Sequence, residues 1–313
     1  MAKSTALICL QFLYLLCHAK AATFEFSNNC GYTVWPGILS SAGISPLSTT
    51  GFKLQTGQSR TVNTPANWSG RMWGRTDCTT DSTTSVFTCL TGDCGTGEIE
   101  CSGSGANPPA TLAEFTLAGS GGMDFYDVSL VDGYNLPMLV QPKSSSSSNC
   151  KSTGCLVDLN GMCPDELKVV GSSGQGAACK SACEAFGSSE YCCSGEHANP
   201  STCKPSSYSQ FFKNACPRAY SYAYDDGTST FTCVSANYVV TFCPTTTTTT
   251  SNVNSDGENP KAVLPLLNNT DMVYLGAEKM SNGGSSSPVI QILFHHFPLL
   301  LLVSVSAFLC LSV

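Results

Sequence analysis

Sixteen cysteines stand between Cys30 and Cys243, and that number constrains the fold more than any other feature of the chain. Of the nineteen in the full sequence, Cys9 and Cys17 fall in an apolar N-terminal stretch and Cys310 in an apolar C-terminal one. The stretch 87–101, FTCLTGDCGTGEIEC, carries Cys89, Cys94 and Cys101 in a run of glycine and threonine too polar to bury a helix face. No histidine stands near it, and no pair has the two-residue spacing of a zinc knuckle. An even, dense cysteine set of this kind reads as a disulfide framework in an oxidising compartment, with no metal site.

The N-terminus supplies that compartment. Residues 1–21 hold one early lysine, an apolar run over 6–16, and small residues at Ala19 and Ala21. This is a secretory signal peptide with cleavage expected after Ala21. The apolar run is shorter than the roughly 20 residues that span a bilayer.

Between the leader and Pro244 eleven basic residues face eighteen acidic ones, a net charge of −7. Without a basic stripe, such a domain repels phosphate backbones, so no nucleic-acid partner is expected. Histidine chemistry is pruned as well: of four histidines His18 lies in the leader and His295 and His296 near the tail, leaving His197. It sits in a turn-rich segment among the cysteines and reads as a surface residue. The run 171–176, GSSGQG, lacks the Gly-Lys-Ser/Thr ending of a phosphate loop and reads as an ordinary loop.

Strands dominate the pattern. Phe24 and Phe26 alternate with polar residues over 23–28, and short strands follow at 32–35, where Pro36-Gly37 stops the run, and at 52–54 and 59–62. Over 111–117, Leu112, Glu114 and Thr116 share one face, while Ala113, Phe115 and Leu117 share the other. Over 124–131, Phe125, Asp127, Ser129 and Val131 alternate with Asp124, Tyr126, Val128 and Leu130. If these two strands are neighbours, carboxylates converge on one surface. Such convergence costs free energy by like-charge repulsion and needs a partner or a use. Helices are expected at 177–186 and 207–213, within a lobe over about 150–216 too poor in apolar surface for its own core. A serine run, 144–148, precedes the lobe as a flexible joint.

Arg71-Met72-Trp73-Gly74-Arg75, the cysteine run 87–101 and Thr111-Leu112-Ala113-Glu114-Phe115 together resemble the thaumatin-like proteins of the plant defence group. The chain departs from the family pattern in one place, with Ser85 where the pattern has glycine. The resemblance covers 22–244 and implies a mainly β fold: a β-sandwich core, a disulfide-rich and partly helical lobe, and an acidic cleft between them. It implies the pairs Cys30–Cys243, Cys78–Cys89, Cys94–Cys101, Cys150–Cys233, Cys155–Cys216, Cys163–Cys179, Cys183–Cys192 and Cys193–Cys203. It implies a cleft lined by Arg71, Glu114, Asp127, Asp132 and Asp225, with Asp226 as the neighbouring choice for the last.

The implied ligand is β-1,3-glucan or a related wall polysaccharide, bound by a monomer without cofactor. Hydrolysis by Glu114 and Asp127, with Glu114 as acid, is the alternative. A salt-bridged structural cluster around Arg71, or a wall or receptor-associated scaffold, is the third reading. Trp68 and Trp73 are core or disulfide-packing residues, with sugar stacking as the other option.

Asn67-Trp68-Ser69 and Asn268-Asn269-Thr270 are acceptor sequons for N-linked glycans. Residues 245–281 open on six threonines and read as a glycosylatable stalk. Residues 282–313 combine small residues, a polar spacer and an apolar tail with no basic residue after it. That pattern reads as a glycosylphosphatidylinositol-anchor signal with attachment at Asn282, placing the protein on the outer face of the plasma membrane, towards wall and apoplast. Ser281 and Gly283 compete for attachment, and a transmembrane tail is the alternative tether.

Overall fold

The computed structural model describes residues 22–143, 150–234 and 236–245. The leader, the serine run 144–148, the stalk beyond Thr245 with Asn268, and the tail with Asn282 lie outside the described residues. Among the described residues no helix is long and apolar enough to cross a membrane.

Two sheets form the core. The first has the order β3-β1-β13-β8-β9, from β1 (Ala22–Asn28), β3 (Ser59–Thr64), β8 (Met138–Lys143), β9 (Thr153–Cys155) and β13 (Asn237–Phe242). The second has the order β12-β7-β6-β4-β2, from β2 (Trp35–Ser40), β4 (Ser69–Thr80), β6 (Leu112–Thr116), β7 (Asp124–Ser129) and β12 (Phe231–Cys233), with β5 (Phe87–Thr91) paired to β4. The alternation expected in β1 is realised: Phe24 and Phe26 are fully buried, and Phe24 packs edge-on against Phe115 of the facing sheet, ring centroids 4.6 Å apart. Met72, Ala113, Phe115, Tyr126 and Val128 complete this core from the second sheet.

β1 and β13 pair in parallel, so the two ends of the domain lie side by side. Beyond them Cys30 is joined to Cys243 across a sequence separation of 213. The other bridges are Cys78–Cys89, Cys94–Cys101, Cys150–Cys233, Cys155–Cys216, Cys163–Cys179, Cys183–Cys192 and Cys193–Cys203.

Three expectations change. No strand forms at 52–54, where Leu54 and the adjoining Gly51 make isolated bridges to Val34 and Gly37. The strand expected at 32–35 starts instead at Trp35 and runs through Pro36-Gly37 to Ser40. β2 is an edge strand, where a proline without an N–H costs no ladder bond. Gly37 is there because a Cβ would sit 2.5 Å from the Trp73 indole that covers it. The helix expected at 177–186 is half strand: β11 (Gly176–Cys179) pairs with β10 (Lys168–Val170), and α1 is confined to Ala182–Phe186. Cys179 is held to Cys163 and exchanges backbone hydrogen bonds with Tyr134, which fixes extended backbone there. Ser181 then accepts from the Glu184 N–H and starts the helix. The lobe also contains α2 (Ser189–Cys192) and α3 (Ser207–Ala215), the latter where 207–213 was expected.

The outer face of the second sheet has its own small core of Trp73, Cys94, Cys101, Ala110 and Leu112. Trp68 and Trp73 are both fully buried, and their indole N–H groups donate to Ser40 Oγ and to the Gly92 carbonyl, each at 2.8 Å. Neither indole is available to stack on a sugar.

Candidate functional site: a carboxylate row on the outer sheet face

Three adjacent strands place one row of side chains across the second sheet. Arg71 on β4 is opposite Glu114 on β6, and Glu114 is opposite Asp127 on β7. Directly opposite residues in antiparallel strands have Cβ atoms about 4.5–5.5 Å apart, so the two carboxylates are forced neighbours. They reach this face by the alternation that buries Ala113, Phe115, Tyr126 and Val128 on the other side. A cleft of about 420 Å³ opens over the row, walled by the hydroxyls of Ser40, Ser41, Ser69 and Thr116 and by Leu39 and Phe125.

Asp132 follows β7 at the turn closed by Gly133, whose φ is +83° and whose Cβ would meet the Cys179 carbonyl oxygen at 2.7 Å. Its charge acts on Glu114. Asp225 has a different occupation. Its carboxylate pairs with Lys213 Nζ at 2.8 Å and accepts from the Ser221 N–H and Oγ–H, each at 3.0 Å. Its neighbour Asp226 accepts from the Tyr220 hydroxyl at 2.8 Å, and its charge acts on Asp127. The structure therefore brings Asp226 into the field of the row and ties Asp225 into the lobe.

Burial and like charge govern the row. Burial pushes the Asp127 carboxyl up to about 8, and the charges of Glu114 and Asp226 add to it. Asp127 Oδ1 is buried without a hydrogen-bond partner. Burial also raises Glu114; Arg71 opposes this and Asp132 reinforces it. Among the described residues Arg71 makes no ion pair within 4.0 Å, so its charge faces the cleft and is not spent on a salt bridge.

A further acid comes from the lobe. Glu184 on α1 lies 3.9 Å from Lys180, has one buried oxygen without a partner, and is pushed up to about 7 by burial, against Lys180 and with the charge of Asp132. The sequence carries a signal for it, Ser181-x-x-Glu184, but that pattern marks a helix start and says nothing of a cleft. Glu100, by contrast, is excluded. Burial pushes it upward, but four hydrogen bonds from Thr49, Thr50 and Gly51 outweigh this and hold its carboxylate below its ordinary value.

The sign of the Asp127 shift makes a prediction. Its carboxyl rises from 3.8 to about 8 on folding, so between those values the native state binds more protons than the unfolded chain. Stability therefore falls as pH rises through that window. Asp127→Asn removes the penalty and is expected to be more stable than wild type by about 1–2 kcal/mol at the alkaline end. The gain should vanish below the unfolded value, as thermal melts across this range will read. A variant that melts below wild type at the alkaline end would overturn the assignment.

A disulfide-stapled β-sandwich with a row of one arginine and two carboxylates across its outer face is the class these features define. The chain belongs to the thaumatin family, whose model matches residues 28–244. A thaumatin-like protein 1 of Arabidopsis thaliana is 58% identical over 247 residues, covering 76% of this chain and 93% of that one. A PR5-like receptor kinase of the same plant is 55% identical over 225 residues, which are 71% of this chain and 34% of the kinase. A glucan endo-1,3-beta-glucosidase of Prunus avium is 53% identical over 227 residues, 72% of this chain and 92% of that one.

Proposed function

We propose that this is a defence-type protein of the plant cell surface that recognises β-1,3-glucan in the acidic cleft. The observation that carries the reading is the cross-strand row Arg71–Glu114–Asp127, open to a hydroxyl-walled cleft and unpaired within 4.0 Å by its own arginine. Ionised carboxylates accept hydrogen bonds from sugar hydroxyls, a protonated Asp127 donates one, and Arg71 donates in a fork. An uncharged polyhydroxylated chain satisfies all three without adding charge to an acidic surface. The names of relatives agree in kind: one is a pathogenesis-related protein of Cryptomeria japonica, another the Prunus avium glucosidase.

The same pair supports a second reading, hydrolysis, because one carboxyl holding its proton beside one that ionises is the arrangement glycoside cleavage needs. In that case Asp127, with the higher proton affinity, is the acid and Glu114 the nucleophile or base. This reverses the role expected for Glu114. Localisation follows the sequence reading: leader 1–21, stalk, and a lipid anchor at Asn282, with glycans at Asn67 and Asn268. Asn67 is exposed in the turn before β4.

The test is reducing-sugar release from laminarin and retention on insoluble β-1,3-glucan by the full chain, beside Glu114→Gln and Asp127→Asn. Retention that falls about tenfold or more in either variant, without turnover, is the expected result, of the size given by losing a charge-assisted hydrogen bond. Turnover lost in both variants makes the cleft a hydrolase. Undiminished retention in both, or none in wild type, removes the cleft as a glucan site.

A further inference from the structure

The cleft is closed on one side of the carboxylate row and open on the other. On the closed side the next cross-strand set is Trp73, Leu112 and Ser129, and all three are buried, the first two in the small core with Cys94 and Cys101. Gly105 adjoins Ala106, which packs against that core, and a Cβ at Gly105 would sit 3.3 Å from Arg71 Nη2 and 3.5 Å from Leu39 Cδ2. On the open side the next set is Ser69, Thr116 and Phe125, and all three line the cleft. Beyond them the sheet ends, since β2 stops at Ser40, β6 stops at Thr116, and β4 and β7 begin at Ser69 and Asp124. A bound chain too long for the cleft has its way out over this rim, towards the turn that precedes β4.

That turn carries Asn67. The Trp68 N–H donates to the Pro65 carbonyl at 3.2 Å, and the Leu117 N–H donates to the Trp68 carbonyl at 2.9 Å. The Trp68 indole is fully buried and donates to Ser40 Oγ, itself in the cleft wall. The middle residue of Asn67-Trp68-Ser69 is thus clamped, and the exposed Asn67 before it is held within about 7 Å of Ser69, the reach of two residues of extended chain. Ser69 belongs to the wall, its Oγ 3.0 Å from Ser41 Oγ and 3.2 Å from Thr116 Oγ1. Acceptor triplet and cleft rim are the same piece of chain.

We propose that an N-linked glycan on Asn67 gates the open end of the cleft, admitting short oligomers of a neutral polysaccharide and hindering long chains that must run out past the rim. The proposal rests on the reading of the cleft as a glucan site. In the attachment step the Asn67 amide nitrogen bonds to the anomeric carbon of a lipid-linked oligosaccharide, the bond from that carbon to the diphosphate lipid breaks, and the amide gives up one proton. In the folded sheet Trp68 is sealed and the Ser69 hydroxyl is engaged on both sides, so the glycan is added to the extended chain before the sheet closes. It then stays at the rim as a bulky, hydrated group. Such a group discriminates by clash, weakening the long ligand without touching the row that holds the short one.

The test is titration calorimetry of the full chain, expressed in a plant secretory host, with β-1,3-linked glucose oligomers of short and of long chain length, beside Asn67→Gln and Asn268→Gln. Peptide mass spectrometry reads the occupancy of Asn67, which is expected to carry a glycan. Asn67→Gln is expected to bind the long oligomer about three- to tenfold more tightly than wild type and the short one equally, the size of a modest steric clash. Enzymatic removal of the glycans from folded wild type should reproduce that gain, which separates the gate from any effect of the glycan on folding. Asn268→Gln keeps the rim glycan and should bind both lengths as wild type does. An unoccupied Asn67, or long-oligomer binding that is no tighter in Asn67→Gln and in the deglycosylated protein, overturns the gate and leaves the cleft reading standing. Equal tightening of both lengths overturns its selectivity for length. No binding of either length by wild type, Asn67→Gln or the deglycosylated protein sinks the cleft reading itself.

Discussion

Replacing Cys30 and Cys243 together by serine is expected to cost about 5 kcal/mol of stability, the largest loss from any single bridge in the domain. The bridge spans 213 residues, and the chain entropy it removes from the unfolded state grows with the logarithm of the closed loop. Cys150–Cys233, which spans 83 residues, shortens the effective loop, yet the logarithm changes the benefit by less than about half a kcal/mol. Cys94–Cys101, with a separation of 7, should contribute about half as much. The native state depends on the same closure, because β1 and β13 pair in parallel only if the chain ends meet. Guanidinium unfolding of the two double variants under non-reducing conditions reads the difference. Equal losses would show that the long loop is already closed in the unfolded chain and would overturn the ranking.

The second large effect is expected at Arg75. Its side chain is fully buried, and its guanidinium donates to the carbonyls of Trp35 at 3.0 Å, Pro36 at 3.2 Å and Ile99 at 2.6 Å while lying over the Phe87 ring. Burial lowers its pKa to about 10, with Asp93 and Glu100 supporting the charge from a distance. Arg75→Met keeps much of the volume but removes the fork that ties β2 to the loop carrying Ile99. The loss is expected at about 3–5 kcal/mol, the size found when one member of a buried charged network is deleted. Arg75→Lys should fall between the two, since an ammonium does not span three carbonyls as a planar fork does. Urea midpoints measure both, and an Arg75→Met cost under about 1 kcal/mol would remove this arginine from the framework.

Arg71 and Arg75 make the division between sequence and structure concrete. They stand four apart on the same face of β4, one open to the cleft and the other sealed beneath the loop around Ile99. Their local patterns are alike, so alternation places both on one face and says nothing about which is covered. The covering residues come from elsewhere in the chain: Gly51 lies so close that a Cβ there would meet Arg75 Nη2 at 2.7 Å. Asp225 and Asp226 repeat the lesson, since adjacent aspartates in one turn divide between Lys213 in the lobe and the field of Asp127 in the row.

The asymmetry between the two cleft carboxyls has the same origin. Both carboxyls are raised by burial; the charge of Arg71 opposes the rise at Glu114, whereas at Asp127 the charges of Glu114 and Asp226 add to it. Residue type alone would favour neither. The lobe adds Glu184 on α1, a carboxyl on which the charge of Asp132 also acts.

By itself the sequence determined the class of fold and the face on which Glu114 and Asp127 lie, because alternation, turn chemistry and cysteine density are local properties of the chain. Only the tertiary structure decided that Arg71, Glu114 and Asp127 share one row, that Trp68 and Trp73 are buried beyond reach of a sugar, and that Asp225 pairs with Lys213. Strand register and desolvation are set by partners far along the chain, and a shift of one residue in pairing would turn every one of these side chains to the opposite face.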